Sequence, residues 1–242
     1  GKILGRPRWQ IWGLAPEDTP CTSYTIGYDA SDEVVNEKIT EAAWAKVIKV
    51  KLGMGETEDK RMINLIRRCL DTVICIDANQ GWKSKEMALD MIYWLSERNV
   101  CLIEQPMAKE LLDDAAWISE RSPLPVIADE ACQRLADIPR LRGAYHGINI
   151  KLMKCTGMRE AHKMATMASG LGMEVMLGCM TETSAAISAA AQLGPMARWA
   201  DLDGNILLGN DCFDGMHLTD GKITLNFRPG IGAEPIKPFE QI

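Results

Sequence analysis

The chain has no apolar run near the ~20 residues needed to span a bilayer, and no cluster of lysine and arginine. Its net charge is −6 at pH 7. A nucleic-acid partner is therefore not expected, and neither is a footing on an anionic membrane. Cysteine occurs eight times but never in a Cys-x-x-Cys spacing, and several thiols fall inside apolar runs such as Val73-Ile74-Cys75-Ile76. They read as free, buried thiols of a reducing compartment, so a cytoplasmic location is expected. What remains is a 242-residue chain of 47% hydrophobic composition. That is enough to bury one full core, and a single domain of this size is commonly an α/β barrel.

The run Val47-Ile48-Lys49-Val50-Lys51-Leu52 sets two lysines two residues apart among apolar, mostly β-branched neighbours. Residues i and i+2 of a strand face the same side, so both ammonium groups project together. The apolar residues have the composition of a parallel strand covered on both faces. Inward lysines then need carboxylates, a metal-bound substrate or depressed pKa values to be tolerated. A half-exposed edge strand with a solvated lysine face is the alternative.

Along the chain, short apolar strands alternate with helical patterns. Tyr24 to Gly27 is strand-like, and Ser31-Asp32 offer an N-cap before Val35, Ile39, Ala42 and Ala43 at helical spacing. The later strands end in polar residues: Lys51, Asp77, Glu104, Asp129, Lys151 and Asp201. Successive separations are 26, 27, 25, 22 and 50 residues, the last accommodating two units. This period predicts repeated βα units on a parallel sheet, and counting Tyr24 to Gly27 gives eight strands. A (β/α)₈ barrel, which builds its sites at the carboxyl ends of its strands, is the predicted fold. An open doubly wound sheet would bind ligand at one switch point and leaves charges at five or six strand ends unexplained. The predicted divisions are a connector over 1–15, the barrel over 16–228 and a tail over 229–242.

In such a barrel Asp77, Glu104 and Asp129 end strands three, four and five and become rim neighbours. Three converging carboxylates repel unless neutralised, and hard oxygen donors of this kind suit Mg²⁺. A helix N-cap is the ordinary explanation for any one of them alone. Lys51 on strand two and Lys151 on strand six would face each other across that cation. Two bases on opposite faces of one carbon are what inversion of a stereocentre requires. An ion pair of Lys151 with Asp129 or Glu130 is the plainer alternative.

The set Lys49-Val50-Lys51, Asp77-Ala78-Asn79, Glu104-Gln105-Pro106, Asp129-Glu130 and Asn149-Ile150-Lys151 resembles the enolase superfamily, in its muconate-lactonising subgroup. Each motif is weak alone; their order and spacing together are specific, and they span nearly the whole chain. The resemblance implies Lys51 and Lys151 as the acid/base pair, and Asp77, Glu104 and Asp129 as Mg²⁺ ligands. It places Lys49 and Asn79 near the substrate carboxylate. The subgroup holds cycloisomerases, o-succinylbenzoate synthases, N-acylamino-acid racemases and dipeptide epimerases. Asp201-Leu202-Asp203 resembles the epimerases that hold a dipeptide's α-ammonium, although a polar turn ending in Gly204 is also consistent. A dipeptide epimerase of the L-Ala-D/L-Glu type or a relative, active in cell-wall peptide metabolism and homo-oligomeric, is what the resemblance implies. A catalytically silent barrel is the alternative from another class. The family carries an N-terminal capping domain. Residues 1–15 resemble only its last helix and the run into the barrel, so a further N-terminal domain that closes the site is expected, and the tail over 229–242 is expected to pack back toward it.

Overall fold

The computed structural model describes residues 1–236; the last part of the tail expected over 229–242 lies outside the described residues. Eight parallel strands form one sheet in sequence order: β1 (Ser23–Ile26), β2 (Val47–Lys51), β3 (Val73–Asp77), β4 (Val100–Glu104), β5 (Val126–Ala128), β6 (Gly147–Lys151), β7 (Glu174–Gly178) and β8 (Trp199–Asp201). A parallel bridge between Thr22 and Ala200 brings β8 against β1 and closes the ring. The hydroxyl of Thr22 also accepts the Leu202 N–H at 2.8 Å. The predicted (β/α)₈ barrel is the observed fold.

Helices α1 (Arg8–Ile11), α2 (Asp32–Glu41), α3 (Glu56–Cys69), α4 (Lys85–Ser96), α5 (Leu112–Arg121), α6 (Ile138–Leu141), α7 (Leu152–Cys155), α8 (Met158–Gly170) and α9 (Ser184–Ala191) fill the connections. Ser31 caps α2 by accepting the Val34 N–H, as its position predicts. The chain departs from a regular alternation in two places. Between β5 and β6 there is only a 3₁₀ turn and the four-residue α6, which is why the spacing there shrinks to 22 residues. After β8, no helix forms among the described residues; an antiparallel hairpin, His217–Thr219 with Lys222–Thr224, packs beneath β1 instead. Gly204, Gly209, Gly215 and Gly221 punctuate that stretch, and glycine disfavours helix. Among the described residues no helix is long and apolar enough to cross a membrane.

Strand alternation decides what fills the ring. Ile48, Val50, Ile74, Ile76, Ile103, Ile148 and Ile150 point outward and pack under the helices. Burying each such side chain is worth roughly 1.5–3 kcal/mol. The inward residues form layers. At the amino end Cys75, Leu102, Ile127 and Met176 pack with Val47 and Trp199 into an apolar plug. Above the plug stand Lys49 on β2, Asn149 on β6 and Asp201 on β8, and at the carboxyl end Lys51, Asp77, Asp129 and Lys151. The plug holds the ring rigid; the charged layers above it are where chemistry is possible.

Candidate active site

Asp77, Glu104 and Asp129 come together at the carboxyl end of the barrel. One carboxylate oxygen from each lies within 4.8 Å of the others, and all three residues are buried. Lys49 stands beneath them, 1% exposed, with its Nζ 3.0 Å from Asp77 Oδ2, 2.7 Å from Glu104 Oε2 and 2.7 Å from Asp201 Oδ2. Burial works against its ammonium, but Asp201, Asp77 and Glu104 outweigh it and hold Lys49 well above the usual lysine range. Lys49 is therefore a fixed positive charge, tied to three strands at once.

The other two predicted lysines flank the triad. Lys51 Nζ lies 2.6 Å from Asp77 Oδ2, and Lys151 Nζ lies 2.7 Å from Asp129 Oδ2. The Lys151–Asp129 ion pair expected as the plainer alternative is thus present, and it coexists with the placement of the two lysines on strands four apart in the ring. Burial works against Lys151, but Asp129 and Glu104 raise its pKa. The same lysines hold carboxyls down: burial alone would raise Asp77 and Asp129, yet Lys49 and Lys51 pull Asp77 below the ordinary range, and Lys154 and Lys151 do so for Asp129. Glu104 goes the other way. Burial and the neighbouring Asp77 push it up to about 8, against the pull of Lys49.

A cavity of about 210 Å³ opens above this layer, lined by Lys49, Lys51, Lys151, Asp201 and Asp203 together with Thr25, Cys179, Met180 and Leu207. The two aspartates after β8 differ in their surroundings. Asp201 is fully engaged, accepting Ser23 Oγ at 2.7 Å and pairing with Lys49. Asp203, 4% exposed, accepts the Thr25 N–H at 2.8 Å on one oxygen, while the other faces the Cys179 thiol at 3.9 Å. No cation pairs with Asp203 among the described residues; burial and Asp201 push it up to about 6. Asn79 lies at the rim, exposed, its N–H on Asp77 Oδ1 and its amide 3.4 Å from Glu130 Oε1. It does not line the cavity.

A family model described as enolase C-terminal domain-like matches residues 33–238. The chain belongs to this family. Among curated relatives it is 58% identical over 237 residues to an L-Ala-D/L-Glu epimerase of Bacteroides thetaiotaomicron, covering 98% of this chain and 61% of the relative. It is 36% identical over 214 residues to the L-Ala-D/L-Glu epimerase of Escherichia coli, covering 88% and 65%. Among solved structures, the dipeptide epimerase of Methylococcus capsulatus with Mg and the dipeptide L-Arg-D-Lys superposes with a TM-score of 0.87 at 32% identity, over 96% of this chain and 68% of that one. The chain thus spans less than two thirds of the length of these two curated relatives.

Three residues of this enolase-family site were given no role in the sequence reading: Gln105 and Asn149 stood only inside the quoted motifs, and Lys154 in none. Lys154, one turn beyond Lys151, is partly buried and donates to the carbonyls of Asp129 (2.7 Å), Asn149 (3.0 Å) and Cys132 (3.1 Å), and also pairs with Asp129 Oδ1. Asn149 donates to Glu104 Oε1 at 2.7 Å, and a Cβ on Gly178 would fall 2.6 Å from its amide oxygen, so only glycine leaves it room. Gln105 accepts the N–H groups of Asp129 and Ala131 and donates to Met107 O and Tyr145 Oη, which fixes the backbone that carries Asp129. The Lys-x-x-Lys spacing and the Asn two residues before Lys151 were the available signals.

Proposed function

We propose that this chain carries the catalytic barrel of a Mg²⁺-dependent dipeptide epimerase, inverting the α-carbon beside the substrate's C-terminal carboxylate. The observation that carries it is the pair Lys51 and Lys151 on opposed strands, both lining one cavity above a buried carboxylate triad, with Asp203, which pairs with no cation among the described residues, at its side. The residues fit the cation: the donors are three clustered hard oxygens, and Glu104, pushed up to about 8 by burial and by Asp77, is a carboxyl that a divalent ion would hold ionised. Asp77, Glu104 and Asp129 would hold it. When bound, Mg²⁺ supplies positive charge against the substrate carboxylate, which lowers the cost of the enediolate.

The chain's own residues do the rest. One lysine, as free amine, takes the α-proton from one face, and the other, as ammonium, returns a proton to the opposite face; in the reverse direction the roles exchange. Lys49 stays charged and steadies the floor. Asp203, ionised, takes the α-ammonium of the dipeptide and so sets its distance from both lysines. The relatives named L-Ala-D/L-Glu epimerases support this class of substrate. Met54, Met180 and Leu207, on loops following β2, β7 and β8, and Met153, on α7 directly after β6, are 58%, 49%, 50% and 69% exposed. An apolar rim of this kind supports the further reading that additional polypeptide covers the mouth and excludes water. A chain extended upstream of Gly1 is then expected to show a higher kcat/KM, and equal values would remove the lid from the account.

The test of the activity is exchange of substrate α-hydrogen with D₂O across a small dipeptide library, with and without Mg²⁺, read by mass spectrometry with circular dichroism of the products. Mg²⁺-dependent exchange with loss of optical purity is expected. No exchange with any dipeptide would sink the proposal.

A further inference from the structure

Asp59 is a buried carboxylate that the mechanism above does not use. It is 1% exposed, lies in the first turns of α3, and pairs with no cation among the described residues. One of its oxygens accepts the N–H groups of Gly53 at 2.9 Å and Met54 at 3.0 Å; the other accepts Trp82 Nε1–H at 2.8 Å. Burial pushes its pKa up, and these three bonds pull the other way. An unpaired buried carboxylate is costly, so its position calls for a reason.

The reason lies in what Gly53 follows. Lys51 ends β2, and the chain then runs through Gly53 (φ +98) and Gly55 (φ +112), a segment with little intrinsic stiffness. Gly53 is also pressed against the next loop: a Cβ there would lie 2.4 Å from Ala78 O, and one on Gly81 would lie 2.4 Å from the Gly53 Cα. Leu52 N–H donates to Asp77 O at 2.9 Å. Asp59 locks this stack, because a single carboxylate joins the loop after Lys51 to Trp82 in the loop after Asp77. Lys151 has no such need. Its strand passes at once into α7 and its side chain is 7% exposed, whereas that of Lys51 is 33% exposed; each is held at its tip by an aspartate.

We propose that Asp59 is a positioning residue for Lys51, holding the glycine loop behind it in register with Trp82. The consequence for activity rests on the proposed two-lysine reaction and is one-sided: loosening this loop disturbs one face of the substrate and leaves the other.

The test compares Asp59→Ala, Asp59→Asn and Trp82→Phe in the intact protein. Asparagine and phenylalanine each break the link to Trp82 while leaving an acceptor for Gly53 and Met54, so they carry the test if the alanine variant does not fold. The first readout is the rate of lysine acetylation by limiting acetic anhydride, resolved by peptide mass spectrometry. Lys51 is expected to label several-fold faster in the variants and Lys151 at the parent rate. The second is α-hydrogen exchange measured separately from each dipeptide epimer. Exchange from the epimer served by Lys51, identified with Lys51→Ala, is expected to fall about tenfold or more, since small misplacements of a reacting group are costly, with the other epimer within about twofold. Unchanged labelling of Lys51, or equal losses on both epimers, would overturn the proposal and leave Asp59 as a brace of the fold. The labelling arm does not depend on turnover, so a parent without dipeptide exchange would refute the activity and still let labelling decide the role of Asp59.

Discussion

Asp203→Asn is expected to lower kcat/KM for a dipeptide with a free α-ammonium by about ten- to a hundredfold, since a hydrogen bond to a charged group is worth roughly 1.5–3 kcal/mol. The structure sets this side chain apart from its neighbour. Asp203 keeps one oxygen on the Thr25 N–H and faces the cavity with no cation, whereas Asp201 is spent on Lys49 and Ser23. Asparagine preserves shape and the Thr25 bond; it removes the charge and the weak acceptor that faces the Cys179 thiol. The pH dependence follows from the raised pKa. Asp203 is pushed up to about 6, so it is ionised above that pH and takes a proton as pH falls through it. The parent's kcat/KM for free-amine substrates should therefore fall below about pH 6, and the asparagine variant, neutral throughout, should lack that limb. The assay is kcat/KM by polarimetry from pH 5 to 8 on a dipeptide and its N-acetylated form. Acetylation should cost the parent a factor similar to the mutation. If the acetylated compound is processed equally well, an N-acylamino-acid racemase replaces the epimerase reading. Asp201→Asn should differ by also lowering Tm, because it strips a buried partner from Lys49.

Two further outcomes follow from the triad and its supports. Asp77→Asn should weaken Mg²⁺ binding by at least tenfold in calorimetry and abolish turnover, because Asp77 supplies one of three clustered carboxylates; unchanged affinity would remove it from the ligand set. Lys154→Met keeps the apolar stem but takes one donor from each of three carbonyls and one of two lysines from Asp129, and should lower Tm by several degrees with a loss of Mg²⁺ affinity. A variant with parent Tm and parent affinity would show that Lys154 supports neither.

The barrel was legible because its signals are local and repeated. Each strand is a short apolar run, six of the eight end in a polar residue or just before one, and a period of 22 to 27 residues admits few folds; the eight-strand ring follows from counting. The triad was legible for the same reason, since Asp77, Glu104 and Asp129 hold equivalent positions on adjacent strands. Partnerships across the ring were not. Lys49 and Asp201 are 152 residues apart, and nothing near either says that closure of β8 onto β1 makes them an ion pair. The family resemblance implied a place for Lys49 near the substrate carboxylate. The structure shows it both lining the cavity and bound to three protein carboxylates. Lys154 and Gln105 were assigned no role because most of their bonds go to backbone groups, which a residue pattern does not display. The hairpin in place of an eighth helix was hidden in a stretch whose glycines suggest only an absence of helix.

The central claim is that Lys51 and Lys151 serve opposite faces of one α-carbon. It is tested most directly by incubating each pure dipeptide epimer in D₂O with Mg²⁺ and the parent, Lys51→Ala or Lys151→Ala, and following α-deuterium and configuration together. The account predicts that the parent exchanges and inverts both epimers, that neither variant inverts either, and that each variant retains exchange from one epimer only, a different one in each case. A Lys151→Ala protein that interconverts the epimers at the parent rate would contradict it.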